Sequence, residues 1–196
     1  MSTLTDTYEF LHLPDDQRGT HEAQITALIK TCTDIIEKEI GRKISLHEVS
    51  GYRLIAGLDY NFYGNAQIYL TGAFRDVLEI TAILDNGAAL TAGTDYLLHK
   101  DTGILKRISG AWSNNVVITG KFGLVVEVIV QDENNEPVTV YEPVPALKQA
   151  LIEMIAAKSG LWKVNVETEA GTIEQIRTTI NKNTQALLNK FRATVV

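Results

Sequence analysis

The sequence has very little cysteine and no long apolar run. Cys32 is the only cysteine among 196 residues, so no disulfide can form within the chain and synthesis in a reducing cytoplasm is expected. It falls on the apolar stripe of a predicted helix, where a buried thiol is more common than a reactive one. No apolar segment approaches the roughly 18 residues of a membrane span, and no secretory leader is evident, so we expect a soluble, non-secreted protein without membrane contact.

Basic residues are also scarce. The chain has 18 Lys and Arg against 24 Asp and Glu, a net charge of −6. This balance argues against a surface that coats nucleic acid and disfavours a DNA-binding regulator. Residues 161–196 differ, because five basic residues there outnumber three acidic ones. That mildly basic segment predicts either a solvated helix face or docking onto an acidic partner.

Signatures of catalysis and of metal binding are missing as well. The sequence contains no Gly-x-Ser-x-Gly, no phosphate-binding loop, and no His-x-x-x-His or Cys-x-x-Cys pair. Asp132, Asn134 and Glu136 alternate like the start of a calcium loop, but the central glycine and the closing glutamate are absent, which favours a polar hairpin tip. We therefore assign no catalytic, cofactor-binding or metal residue and expect a protein that is not an enzyme. A small acidic hydrolase or ligand-binding domain remains as an alternative.

Apolar residues at three- and four-residue steps predict helices toward both ends of the chain. A short helix is expected over 4–12 and a strong one over 20–40, separated by a polar linker at 15–19. A second strong helix is expected from Pro145 to Gly160, since proline favours the first helical position. We predict a loop at 163–171 and helical segments over 173–183 and 184–192.

Short alternating runs predict strands between the strong helices. They are expected at 67–70, 77–84, 96–99, 104–107, 116–119, 124–131 and 138–141. Asn86-Gly87 and Thr102-Gly103 are turn signals, and residues 120–123 predict a bend. No internal repeat or low-complexity tract is evident.

Strands bracketed by helices indicate an α+β fold: amphipathic helices packed around a small, mostly antiparallel, hairpin-rich sheet with extended arms. We expect a single domain over 1–196. Its helical parts would be 1–41 and 144–162, its β region 43–142, and its C-terminal arm and helix 163–196.

Several pieces, read in order, resemble the head–tail connector (adaptor) proteins of tailed bacteriophages. They are 28–42, with its Gly-Arg exit, 68–70, 77–87, 95–107, 119–123, the proline-started 144–151, and 187–192. The resemblance covers about residues 20–192. This sequence departs from it in a hairpin inserted at 124–142 and in a longer segment at 163–183, either of which could reach a neighbouring subunit or another neck protein.

The resemblance implies a structural role at the virion neck after synthesis in the host bacterial cytoplasm. Similar proteins form a ring of about twelve copies beneath the portal protein, join the capsid to downstream neck or tail proteins, and let the genome DNA pass without specific binding. No cofactor is implied. An acidic body suits a channel wall, because like charge keeps DNA from adhering. Another neck or tail-completion protein is the alternative, although such proteins are mostly β and the strong helices count against it.

In that scheme, exposed hairpin tips contact neighbours and the C-terminal segment docks to the portal. The candidate hairpin arms are Asn86, Gly87, Asp101, Gly103, Asn134 and Asn135. The candidate portal or neighbour contacts are Trp162, Lys163, Lys190, Phe191 and Arg192. An equally weighted alternative is that Trp162 and Phe191 are core aromatics.

Overall fold

A computed structural model of the protein describes residues 3–132, 134–161, 163–168, 171–176 and 182–192. Within these ranges it contains four α-helices and twelve strands, and the α+β prediction is confirmed. The chain forms two compact units. We call the described part of 1–40 and 126–192 the helical unit, and residues 41–125 the sheet unit. The prediction of a single domain stays a prediction.

The helical unit is organised around its third helix. Its helices are α1 (Thr3–Phe10), α2 (Asp15–Ile40), α3 (Pro145–Ser159) and α4 (Lys182–Phe191). Helix α3 packs against the other three, and every residue from 150 to 157 is buried. A helix that is apolar nearly all round is expected at the centre of a bundle. α3 therefore forms the core that α1, α2 and α4 cover.

Helix α2 is longer than predicted. Residues 15–19, expected to be a linker, form its first turns. Asp15 and Asp16 stand where the helix dipole favours negative charge, and Arg18 forms an ion pair with Asp15 at 3.0 Å. These interactions offset the cost of about 1 kcal/mol for Gly19 within a helix. The linker prediction was wrong because a single glycine does not end a helix that is otherwise well supported.

The ends of the other strong helix agree with its sequence signals. Pro145 occupies the first turn of α3, and Gly160 after its last turn has φ of 70°. Glycine adopts this left-handed conformation without the steric cost of a side chain. The predicted boundaries of this helix are confirmed.

Two β-ribbons belong with the helices. Strands β9 (Val125–Gln131) and β10 (Pro137–Pro143) form one two-stranded sheet, as the predicted hairpin required. Strands β11 (Lys163–Thr168) and β12 (Gly171–Ile176) form another, in antiparallel register from Lys163 with Ile176 to Thr168 with Gly171. The predicted loop at 163–171 was wrong, and so was the start of the helical segment predicted over 173–183, whose residues 177–181 lie outside the described residues. Periodicity in such short segments is ambiguous, and cross-strand pairing resolves it only in three dimensions.

The sheet unit holds the remaining eight strands. They are β1 (His47–Arg53), β2 (Tyr60–Tyr63), β3 (Gln67–Leu70), β4 (Val77–Asp85), β5 (Ala88–Leu90), β6 (Tyr96–His99), β7 (Ile104–Arg107) and β8 (Val116–Phe122), with a 3-10 turn at Gly72–Phe74. One sheet has the order β1-β8-β4-β5 and the other β2-β3-β7-β6. Buried side chains from both sheets, such as Ile118 and Phe122 from the first and Ile68 and Leu105 from the second, form one apolar core. The single small sheet expected from the sequence is thus two four-stranded sheets sharing a core.

The bend predicted at 120–123 is displaced toward its end. Gly120 lies within β8, where a Cβ would stand 2.3 Å from the backbone oxygen of Glu79. The chain turns after Phe122, at Gly123, whose φ is 133°. Gly120 is therefore required by the close approach of β4 to β8 rather than by a bend.

A short repeat builds the sheet unit. Residues 54–60 read L-I-A-G-L-D-Y and residues 90–96 read L-T-A-G-T-D-Y, identical at five of seven positions. Each segment leads from an edge strand of the first sheet, β1 or β5, into an edge strand of the second, β2 or β6. The two hairpins meet at the β3–β7 pair in the centre of the second sheet. The sequence analysis missed this repeat because only seven residues carry it.

Candidate functional site

The 86–87 hairpin tip is exposed but anchored. Asn86 and Gly87 have φ of 52° and 84°, the positive values that a tight two-residue turn requires. The backbone N–H of Asn86 donates to the carbonyl of Asn115 at 2.9 Å. The preceding Asp85 is buried and accepts hydrogen bonds from the backbone and hydroxyl of Ser113. This tip is a fixed corner of the sheet unit, and its role as a contact arm stays a prediction.

The second predicted arm is partly packed into the sheet unit. Gly103 is buried with φ of 66°, and a Cβ there would stand 2.7 Å from the carbonyl oxygen of Arg75. Its own carbonyl accepts from the N–H of Leu70 at 2.8 Å, and Lys100 donates to the carbonyl of Leu78 at 2.7 Å. Only Asp101 of this predicted pair is exposed and available to a neighbour.

The third predicted arm is the tip of the β9–β10 ribbon. Asn134 and Asn135 are both exposed, and Asn135 has φ of 59°. Asp132 orders the tip, since its Oδ1 accepts from the N–H groups of Asn134 at 2.8 Å and Glu136 at 2.9 Å. The polar hairpin tip predicted from this alternation is confirmed, and the side chain of Asp132 caps its backbone.

The outer part of the ribbon, toward its tip, is exposed, and the charged residues of the ribbon are all acidic. Ile129 is 72% exposed, Val126 37% and Val138 40%. Residues 125–143 contain five acidic and no basic residues. The base of the ribbon packs against α3, where Glu142 pairs with Lys148 at 2.6 Å. Its outer part, which is apolar and acidic, is the part suited to contact another surface.

The C-terminal candidates are described unevenly. Trp162 lies outside the described residues, and only the backbone of Lys163 is described, at the start of β11. Lys190 is exposed and Phe191 half-buried at the end of α4. Arg192 donates to the side chain and the backbone carbonyl of Glu39 at the end of α2. Three of the candidates therefore lie side by side at the end of α4: Lys190, Phe191 and Arg192. Arg192 is already bound to Glu39 within the helical unit.

Four exposed apolar residues of the sheet unit were not predicted. Ile55 is 52% exposed, Leu58 65%, Phe62 42% and Tyr63 68%. We call these four residues the turn patch, because they lie on the first L-x-A-G-x-D-Y segment and on the edge strand β2 that follows it. Comparing the two copies of the repeat would have pointed to the patch, since the second copy has Thr91 and Thr94 where the first has Ile55 and Leu58.

The described residues offer little to a reaction or a metal ion. Among them, no group of three or more His, Cys, Asp or Glu could hold a metal. An open groove of about 360 Å³ crosses the first sheet, where Lys121 is the register partner of both Glu48 and Glu79. Opposite charges facing across strands stabilise a sheet.

Burial raises the pKa of the Cys32 thiol to about 11, so the thiol is protonated near neutral pH.

No described helix is long and apolar enough to cross a membrane.

No protein-family model matches the chain, and no curated protein does. A solved structure does: the neck of an empty GTA (gene transfer agent) particle, computed with C6 symmetry. The identity is 15% and the TM-score 0.55, over 98% of this chain and 90% of that chain. At this identity the likeness shows a shared fold over nearly the whole length of both chains.

Proposed function

We propose that this chain is a structural subunit of the neck of a tailed phage or phage-like particle. The more specific proposal is a head–tail connector (adaptor) that forms a ring beneath the portal, joins the capsid to the tail and lets DNA pass. The observation that carries the neck role is the shared fold with a GTA neck chain, which extends over 98% of this chain. The adaptor proposal is supported by the sequence resemblance to phage connectors. A match of this extent includes both units and the inserted hairpin, so it supports a role for the whole chain.

A ring is supported by the form of the exposed surfaces. Identical subunits close into a ring through two different, complementary surfaces on each copy. The turn patch and the β9–β10 ribbon are two different exposed surfaces, and both offer apolar side chains that a contact between copies would bury. The neighbouring structure was computed with C6 symmetry, and a ring of about twelve copies contains a six-fold axis.

We propose that the chain acts by assembly rather than by catalysis. The acidic side chains near turns are engaged in the fold, as Asp85 is by Ser113 and Asp132 by the ribbon backbone. Lys121 faces the two carboxylates that line the groove. The net charge of −6 supports passage of DNA along the ring without adhesion.

Docking to the portal is proposed for the end of α4, where Lys190 and Phe191 stand beside Arg192. The helix has no acidic residue between 182 and 191, so its exposed side suits an acidic partner. Replacing Lys190 with glutamate is expected to weaken capture by the portal and to leave the fold unchanged, because this side chain is exposed. The matched control is Lys158→Glu, an exposed lysine near the end of α3.

Negative-stain electron microscopy tests the proposal directly. The purified protein is imaged alone and mixed with a portal ring, and we expect ring-shaped particles bound coaxially to the portal. Class averages give the copy number, for which about twelve is expected. A protein that stays monomeric with the portal and with downstream neck proteins would overturn the proposal. Rings that bind only a tail component would point to a tail-completion protein instead.

A further inference from the structure

The two copies of the L-x-A-G-x-D-Y turn form the same backbone structure. Gly57 and Gly93 have φ of 79° and 78°, and each donates to the carbonyl of its tyrosine, Tyr60 or Tyr96, at 2.8 Å. The aspartates close the turns in the same way, since Asp59 accepts from the N–H of the residue four positions earlier at 2.9 Å and Asp95 at 2.7 Å. The five shared residue types are therefore sufficient for the turn.

The two unshared positions are exposed in both copies. Ile55 and Leu58 occupy them in the first copy, and Thr91 and Thr94 in the second. Because the second copy makes the same hydrogen bonds with threonine, the turn does not need an apolar side chain at either position. The exposed isoleucine and leucine consequently require an explanation other than folding.

The other two residues of the turn patch lie on an edge strand, where consecutive side chains project to opposite faces of the sheet. Phe62 and Tyr63 lie on β2, which is the outermost strand of its sheet. Between residues 54 and 74 the only charged residue is Asp59, which is buried and engaged in the turn. An edge strand flanked by exposed apolar side chains, without a charge to block it, is suited to pairing with another chain.

We propose that the turn patch binds the β9–β10 ribbon of a second copy of this chain. In the part of the chain that the structure describes, the ribbon is a two-stranded sheet with both outer edges unpaired, and Val126, Ile129 and Val138 supply exposed apolar side chains. The carbonyl of Tyr60, at the start of β2, already accepts from Gly57. Strand pairing between the rest of β2 and an edge of the ribbon would satisfy backbone groups on both and bury apolar side chains of both.

The charges of the two surfaces also favour binding of the ribbon to the turn patch. The ribbon carries five acidic residues and no basic one, and only Glu142, at its base, is paired with a lysine of α3, Lys148, among the described ion pairs. Two exposed basic residues lie near the patch. Arg53 directly precedes the turn, and Lys106 is the register partner of Gln67, which in turn pairs with Tyr63. This inference rests on the proposed ring and names the contact between its subunits.

Cross-linking between two variants tests the contact. Leu58→Cys and Ile129→Cys proteins are prepared separately, mixed, and treated with a short bismaleimide, with Cys32 retained because it is fully buried. A covalent dimer is expected in the mixture and not in either variant alone, which also excludes a link within one chain. A dimer from the Leu58→Cys protein alone would show a contact between two patches and overturn the proposal.

A substitution guided by the second copy of the repeat gives an independent readout. The double variant Ile55→Thr/Leu58→Thr is expected to weaken ring formation about tenfold or more in protein concentration, with an unchanged melting temperature. The matched control is Thr91→Ser/Thr94→Ser, which is expected to assemble like the original chain.

The outcomes separate this inference from the proposed function. If the double variant forms normal rings, the patch–ribbon contact is overturned and the proposed neck role is unaffected. The same holds if the mixed cysteine variants form rings but give no cross-linked dimer. Normal rings that no longer capture the portal assign the patch to the portal and also overturn it. If the original chain gives neither cross-link nor ring, with or without the portal, both proposals fail.

Discussion

The two copies of the L-x-A-G-x-D-Y turn share a backbone and differ in their surroundings. Asp59 of the first is 8% exposed and also accepts from the hydroxyl of Tyr52 at 3.2 Å, whereas Asp95 of the second is half-buried. Ile55 and Leu58 stand on the surface where the second copy has threonines. Positions that the fold requires are identical, so the positions that vary carry information about contacts rather than about folding.

The largest expected difference between the copies concerns their aspartates. Asp59→Ala leaves the partly buried N–H of Ile55 and the Tyr52 hydroxyl without an acceptor, and we expect it to lower the free energy of unfolding by about 2 kcal/mol. Asp95→Ala frees one N–H that water can reach, and should cost about 1 kcal/mol. Urea denaturation measures both. Equal losses would contradict the assigned difference in burial.

The glycines should behave alike in the two copies. Gly57 and Gly93 have the same positive φ, and a Cβ at either would meet nothing within 4 Å. Only the backbone conformation opposes a side chain, so Gly57→Ala and Gly93→Ala are each expected to cost roughly 1 kcal/mol. Thermal denaturation of both variants checks this, and a loss in one alone would break the structural equivalence of the turns.

The tyrosines that end the two turns should respond to alkaline pH. Burial raises the pKa of both Tyr60 and Tyr96, and the charge of Asp85 raises that of Tyr60 further. Above a pH of about 10 the unfolded chain loses these protons while the folded chain keeps them. The stability present below that pH is therefore lost as the pH rises through the raised pKa of the folded state.

Tyr60→Phe isolates one part of this effect. The Tyr60 hydroxyl is buried without a hydrogen-bond partner among the described residues, so its removal is expected to cost little at neutral pH. The loss of stability between pH 8 and pH 11, followed by urea denaturation, should be smaller than in the original chain. An unchanged pH dependence would remove Tyr60 from the explanation.

The smallest expected change in stability is that of the double variant that tests the proposed contact. Ile55→Thr/Leu58→Thr should change the free energy of unfolding by no more than about 0.5 kcal/mol, because both side chains are exposed. The measurement is a urea titration at a protein concentration too low for assembly. A large loss would mean that these side chains support the fold of the first copy, and would weaken the case for a partner.

Local signals were sufficient for many of the elements. The apolar stripe of α2, the proline and glycine that bound α3, and the Asn86-Gly87 turn each act through neighbours along the chain, and the structure agrees with them. The failures lie where a local signal was weak or misleading. The β11–β12 ribbon was read as loop and helix, and the start of α2 as a linker.

The candidate site was predicted less well than the fold. The exposed tip at Asn134-Asn135 was found from its turn residues, but Gly103 is buried against Arg75. The turn patch was missed because exposure of an apolar residue cannot be read from its identity. It depends on which residues from other strands lie over the side chain, and a seven-residue repeat is too short to draw attention by itself.

By itself the sequence determined the positions of the strong helices, the tight turns, the α+β class and the acidic character of the β9–β10 ribbon. These follow from turn chemistry, periodicity and composition, which act over a few residues. The tertiary structure alone decided that β1 pairs with β8 and β3 with β7, which side chains of the repeat are buried, and that the patch lies at an open sheet edge. Those features depend on residues tens of positions apart, whose pairing is set by the shared burial of a core and not by any local preference.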